Sequence, residues 1–160
     1  MESVPWLTAD ERRSWLALMA LLEVLPASMD AQLRRDADVN RFEYMILAGL
    51  SEAPGRVRPM SELASFAAGS ISRMSHAVSR LQQRGLVERR PHPTDGRHIE
   101  VALTDAGWTT VQQAAPGHVR EARRLVVDRL TPTQLAQLGR IARSIVEEAS
   151  PGLSALLRDC

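Results

Sequence analysis

At 160 residues and 44% hydrophobic side chains, the chain suits one domain or a small domain with helical extensions, and it is too apolar for disorder. Its formal charge is only +1, yet eight arginines face three acids between positions 54 and 97, against twelve and sixteen elsewhere: either a local polyanion site or a chance clustering of surface charge. No apolar run approaches a membrane span, the first residues do not read as a signal peptide, and the single cysteine, Cys160, can form neither an internal disulfide nor a multi-cysteine zinc site, so a cytoplasmic protein is expected.

Thr8-Ala-Asp-Glu11 has the form of a capping box and starts the first helix. Trp15, Leu18, Met19, Leu22, Leu25, Met29 and Leu33 then recur at helical spacing to about Arg35. Pro26, inside that pattern, is expected to kink or divide it. A helix this long and apolar exceeds what a small domain covers, so much of its stripe is expected to meet another subunit. Residues 40–51 read as a second helix with Phe42, Met45, Ile46 and Leu50 inward, broken by Glu52-Ala-Pro-Gly-Arg. Residues 60–67 form a short third helix with Leu63, Ala64 and Ala67 buried. Ala68-Gly69 makes the turn to a fourth helix, capped by Ser70, whose inward stripe is Ile71, Met74, Val78 and Leu81. Gly85 suits the left-handed position after Arg84, and the third and fourth helices together form a helix-turn-helix.

Residues 86–90 and 97–103 alternate as strands, with Ile99, Val101 and Leu103 on one face and Asp95-Gly96 in the connecting turn. Thr104 or Asp105 caps a long helix to about Leu130, interrupted at Pro116-Gly117. Thr131-Pro-Thr-Gln134 starts a last helix, which runs to about Ala149 through Leu135, Leu138, Ile141, Ala142 and Ile145. The expected fold is mainly α with a small β-hairpin wing (α+β), in winged helix-turn-helix order. Residues 37–104 are expected to form the winged helix-turn-helix domain, and residues 1–36 and 105–160 a helical dimerisation region.

The chemistry is concentrated in the fourth helix and the hairpin. Beside the Ser70 cap, Ser72, Arg73, Ser75 and His76 lie off the apolar stripe, where hydroxyls can bond bases or phosphates and Arg73 can read guanine. Arg80 and Arg84, further along, suit phosphate contacts. For the helix alone, a solvated polar face explains these residues equally well. The basic hairpin behind it moves the balance to DNA: Arg89, Arg90 and His92 on the outgoing arm and Arg97 on the return share a tip. Asp95 either orients Arg97 through a charge-assisted hydrogen bond or serves only the turn. His92, Asp95 and His98 match no common zinc spacing, so no metal or other cofactor is expected. No nucleophile elbow, phosphate loop, dinucleotide fingerprint or zinc-protease motif occurs, and the chain is not expected to be an enzyme.

Met-Ser-Glu-Leu-Ala (60–64), Ser-x-Ser-Arg-x-Ser-His (70–76), Arg-Leu-x-x-Arg-Gly-Leu-Val (80–87), Asp-Gly-Arg (95–97) and Val-Ala-Leu-Thr-Asp-Ala-Gly (101–107) together resemble the MarR family of bacterial transcription regulators. The resemblance spans nearly the whole chain. It implies a homodimer, intertwined through the first and last two helices, that binds a pseudo-palindromic operator in double-stranded DNA. The helix from Ser70 to Arg84 would enter the major groove, and Arg97, steadied by Asp95, the minor groove. It further implies a repressor of nearby genes, released by a small, often aromatic, ligand in the crevice between the dimer helices and the DNA lobe. Trp15, Met19 and Met45 are crevice candidates from helix placement alone, with core or dimer packing as the other reading. Peroxide-sensing members carry a cysteine in the first helical region; this chain has none there, and Cys160 is misplaced for that chemistry. A winged-helix protein-interaction module without specific DNA binding is the alternative. The arginine surplus argues against it, because interaction faces usually expose an apolar patch.

Overall fold

A computed structural model describes residues 4–67, 69–92, 99–151 and 153. Asp95, Arg97, His98 and Cys160 therefore lie outside the described residues, as does the turn assigned to Asp95-Gly96.

The first helix, α1, spans Ala9–Ala37 and opens with the anticipated box: the Glu11 amide donates to Thr8 Oγ1 and the Thr8 amide to Glu11 Oε2. It runs through Pro26 without dividing there. The carbonyl that Pro26 leaves without a donor is that of Leu22, and both residues border open space, where water can satisfy it. Only Met29, Gln32 and Leu33 of α1 are buried. Contrary to the reading of short apolar runs, α1 holds an 18-residue window of mean hydropathy 1.4, only 17% buried, which by length and composition could cross a membrane. Isolated polar residues such as Glu23 hide that average from inspection by runs.

Helix α2 (Arg41–Ser51) begins with a second capping box, Asn40 with Glu43, that the sequence reading did not single out. A strand it missed follows, β1 (Val57–Pro59), too short and proline-ended to show a period. Helix α3 (Met60–Phe66) turns into α4 (Ile71–Gln83), where Ser70 Oγ accepts the Arg73 amide at 3.2 Å. The inward stripe of α4 is Met74, Ala77, Val78 and Leu81; Ile71, expected inside, faces out. Gly85, at φ +72°, closes α4 with a Schellman pair: its amide donates to Gln82 and that of Leu86 to Leu81.

Strands β2 (Val87–Pro91) and β3 (Ile99–Leu103) pair antiparallel, and β1 adds to the far side of β3, giving the order β1-β3-β2. Val101 and Leu103 are buried as expected, whereas Ile99 is exposed and Ala102 is buried instead. Thr104 then caps α5 (Asp105–Leu125), which continues past the exposed Pro116 rather than breaking there. It ends at Leu125, before a short 3₁₀ turn, and α6 (Pro132–Ala149) starts with the expected Thr131–Gln134 box.

The core lies in one lobe, where Leu33, Val39, Ile46, Leu47, Leu50, Leu63, Met74, Leu81 and Val101 are sealed from solvent. Thr104 locks the wing to α5 by donating to the Gly85 carbonyl at 2.7 Å and accepting the Gly107 amide at 3.0 Å. Where α5 crosses α2, the His118 and Tyr44 rings meet at 4.6 Å. Burial first, then nearby Arg41, pushes the His118 pKa below its ordinary 6.5. No residue of α6 is buried, and Trp15, Leu16, Leu21 and Val24 of α1 with Leu138, Ile141 and Ile145 of α6 stand exposed.

Candidate nucleic-acid interface

Helix α4 presents Ser72, Arg73, His76 and Arg80 outward, on the side opposite its buried stripe. Arg73 is the most available of the cations. Its guanidinium lies over the Phe42 ring at 4.2 Å, and among the described residues it has no carboxylate or hydroxyl partner. This cation–π contact holds the guanidinium without using its N–H donors, which bidentate recognition of guanine or phosphate requires.

The other arginines are held by the protein itself. Arg80 Nε donates to Glu43 Oε1 at 2.9 Å, and Arg84 reaches Asp38 at 3.3 Å and Glu43 at 4.0 Å. Glu43 is almost wholly buried, and its other role is to accept the Asn40 amide of the α2 cap. One carboxylate thus serves the start of α2 and the back of α4. Sequence reasoning missed Glu43 and Asp38; the Asn40-x-x-Glu43 spacing was the available signal, but nothing in it pointed to Arg80, 37 positions on.

Arg89 departs furthest from its assigned place at the wing tip. Its Nη2 turns back to α4 and donates to the Ser75 carbonyl at 2.8 Å, Ser75 Oγ at 3.2 Å and Ser79 Oγ at 2.9 Å. The alternation of β2 explains this, since Arg89 shares a strand face with buried Val87, facing α4, while Glu88 and Arg90 point outward. Ser75 and Arg89, both expected at DNA, are therefore bonded to each other. Arg90 is exposed and paired with Glu88 at 3.0 Å, and His92 lies 3.5 Å from Glu100. Asp95 and Arg97 fall outside the described residues.

A cavity of roughly 930 Å3 opens between α1, α2 and α4. Leu22, Pro26 and Arg34 form one wall; Phe42, Arg73 and His76 lie on the other. None of Trp15, Met19 and Met45, the residues assigned to the crevice, lines it. The buried residues of α1 all lie in its C-terminal half, and the opening starts at Leu22, past Trp15 and Met19, while Met45 packs beside Arg41 Nη1 at 3.3 Å.

The sequence profile of the MarR family matches residues 37–98. Sco3205, a MarR family transcriptional regulator from Streptomyces coelicolor whose crystal structure is in complex with DNA, is 40% identical; the alignment covers 94% of each chain with a TM-score of 0.91. AbsC, a MarR family transcriptional regulator from the same organism, is 32% identical over 91% of this chain and 98% of that one, with a TM-score of 0.88. Among curated relatives, the HTH-type transcriptional repressor IacR of Pseudomonas putida is 29% identical over 71% of this chain and 66% of its own length. An HTH-type regulator of Bacillus subtilis, YdcH, is 30% identical over 49% and 55%. The chain thus spans about half to two thirds of the curated relatives it matches.

Proposed function

This chain belongs to the MarR family, a family of transcription regulators and not of enzymes, and from that premise we propose that it is a homodimeric, sequence-specific DNA-binding repressor of nearby genes, released by a small ligand. The observation that carries the reading is the outer face of α4. It offers Ser72, Arg73 and His76 at the helix start, with the Arg73 donors uncommitted. Residues at the N-terminal end of a recognition helix are those that reach base edges in the major groove.

The remaining parts take complementary roles. Residues 37–104 are the DNA-binding domain, and residues 1–36 and 105–160 dimerise. The uncovered apolar residues of α1 and α6 supply the dimer surface. Two lobes so joined read half-sites about 34–36 Å apart, or a multiple of that. Arg90 meets the backbone, and Arg97, with Asp95, probes the minor groove. The cavity beside Arg73 and His76 is the place for a ligand that releases DNA, because an occupant there touches the base-reading residues directly.

Footprinting on DNA selected by the protein from a random pool tests the reading. The expected result is a protected pseudo-palindrome, an affinity that falls steeply with salt, and an Arg73→Ala variant with relaxed base preference. A protein that shows no preference for any selected sequence over random DNA at physiological salt refutes it.

A further inference from the structure

The lobe exposes an apolar side chain that neither its packing nor a dimer surface explains. From Arg41 to Leu103, only Ile71 and Ile99 are large hydrophobic residues left exposed among the described residues. Ile99 pairs with Pro91 at the outer end of the hairpin. Ile71 stands at the first position of α4, directly after the Ser70 cap, with 63% of its surface in solvent. The other exposed large hydrophobics lie before residue 25 or beyond residue 118, in the regions assigned to dimerisation.

Ile71 does none of the usual work of its position. Ser70 supplies the cap, and Met74 is the first side chain of the helix to enter the core. Next to Ile71 are Ser72 and Arg73, both exposed. One turn later on the same flank comes Ser75, whose carbonyl and hydroxyl are held by Arg89, which fixes the flank against the wing. The result is a single branched hydrocarbon set among polar groups, on a braced backbone, at the end of the helix that reaches deepest into a groove.

We propose that Ile71 is a specificity residue that packs on the C5-methyl group of a thymine in the major groove. That methyl is the only apolar group on a base edge there, and it is part of what separates A·T from G·C pairs. A β-branched side chain suits the task, because its restricted χ1 leaves little rotamer freedom to lose on contact. Ser72 and Arg73 are then left to read the polar edges of neighbouring bases. The proposal rests on α4 being the recognition helix.

The test replaces each thymine of the selected half-site in turn with deoxyuridine, which removes the methyl and keeps every pairing group. Binding of the full-length protein is followed by fluorescence anisotropy. At one thymine the wild type should lose about fourfold in affinity, the loss expected for one buried methyl. Ile71→Ala should bind thymine and deoxyuridine DNA equally, and Ile71→Val should keep part of the difference. A wild type indifferent to deoxyuridine at every position overturns the proposal, as does an Ile71→Ala variant that keeps the full penalty. Absence of any preference for the selected DNA is a separate result, which removes the recognition helix itself and this proposal with it.

Discussion

Glu43→Gln separates the charge of the buried acid behind α4 from its structural role. A glutamine at the third helical position still offers a carbonyl oxygen to the Asn40 amide, so the α2 cap survives. What disappears is the charge that holds Arg80 at 2.9 Å and Arg84 at 4.0 Å. A hydrogen bond to a charged group contributes about 1.5–3 kcal/mol. Here Arg80 is 53% exposed, so solvent screens the pair, and the amide also relieves the desolvation of a carboxylate only 7% exposed. The remainder is a loss of about 1 kcal/mol, or about 2–4 °C in Tm for a chain of this size. The effect on DNA should be larger and of opposite sign. Arg80 becomes available to phosphates, while Arg84 keeps Asp38 at 3.3 Å, and the new contact steepens the dependence of log affinity on log salt by about 0.9. Anisotropy titrations on random-sequence duplex across a salt series should therefore show tighter, more salt-sensitive binding, with a smaller margin for the operator. If binding to random DNA is unchanged or weaker, Arg80 already meets phosphate from its Glu43-bound position and the reasoning fails.

Three other perturbations probe separate links. Arg89→Met removes the tie between wing and α4; operator affinity should fall while the salt slope stays within a few tenths of wild type, whereas a loss of about 1 in slope would make Arg89 a phosphate contact after all. His118 is held neutral by burial, so below about pH 6.5 the unfolded chain takes up a proton that the folded chain resists, and stability declines on acidification toward the lowered folded value. Urea midpoints measured at about pH 7.5 and 5.5 should therefore differ less in His118→Gln than in wild type, and an equal difference would rule out this residue as a source of acid sensitivity. Gly107→Ala would set a methyl 2.1 Å from the Leu86 carbonyl oxygen, so α5 must shift off the wing. A cost of about 3 kcal/mol, read by urea denaturation, is expected, and a variant as stable as wild type would show that this junction yields freely.

Local signals in the sequence gave reliable guides. The boxes at Thr8 and Thr131, the Ser70 cap and the glycine after Arg84 all depend on residues within a few positions of one another, and each stands where its spacing placed it. Periodicity failed where geometry at an end overrides it. Ile71 falls in phase with Met74 and Val78, yet the core does not extend under the first position of α4. Neither proline divides its helix: the carbonyls they leave without a donor belong to Leu22 and Gln112, both exposed residues where water can serve, and exposure is not visible in sequence. The site was legible as a surplus of arginines but not as a set of partners. Arg80 meets Glu43 across 37 positions, Arg84 meets Asp38 across 46 and Arg89 meets Ser75 across 14, so tertiary packing alone decides which cations face outward.

The unbroken course of α1 has a mechanical consequence. Twenty-nine residues in one helix make a rod roughly 43 Å long. Met29 and Leu33 clamp one end into the core of the lobe, while the apolar residues from Trp15 to Val24 project well beyond it. A divided helix would absorb a disturbance at the joint; a continuous one acts as a lever. Pivoting the rod by about 5° at that clamp, about 30 Å from its start, displaces the start by about 3 Å, close to the roughly 3.4 Å rise of one base pair. The cavity lies beside that pivot, against Pro26 and Arg34, so small changes there are magnified at the far end of the rod.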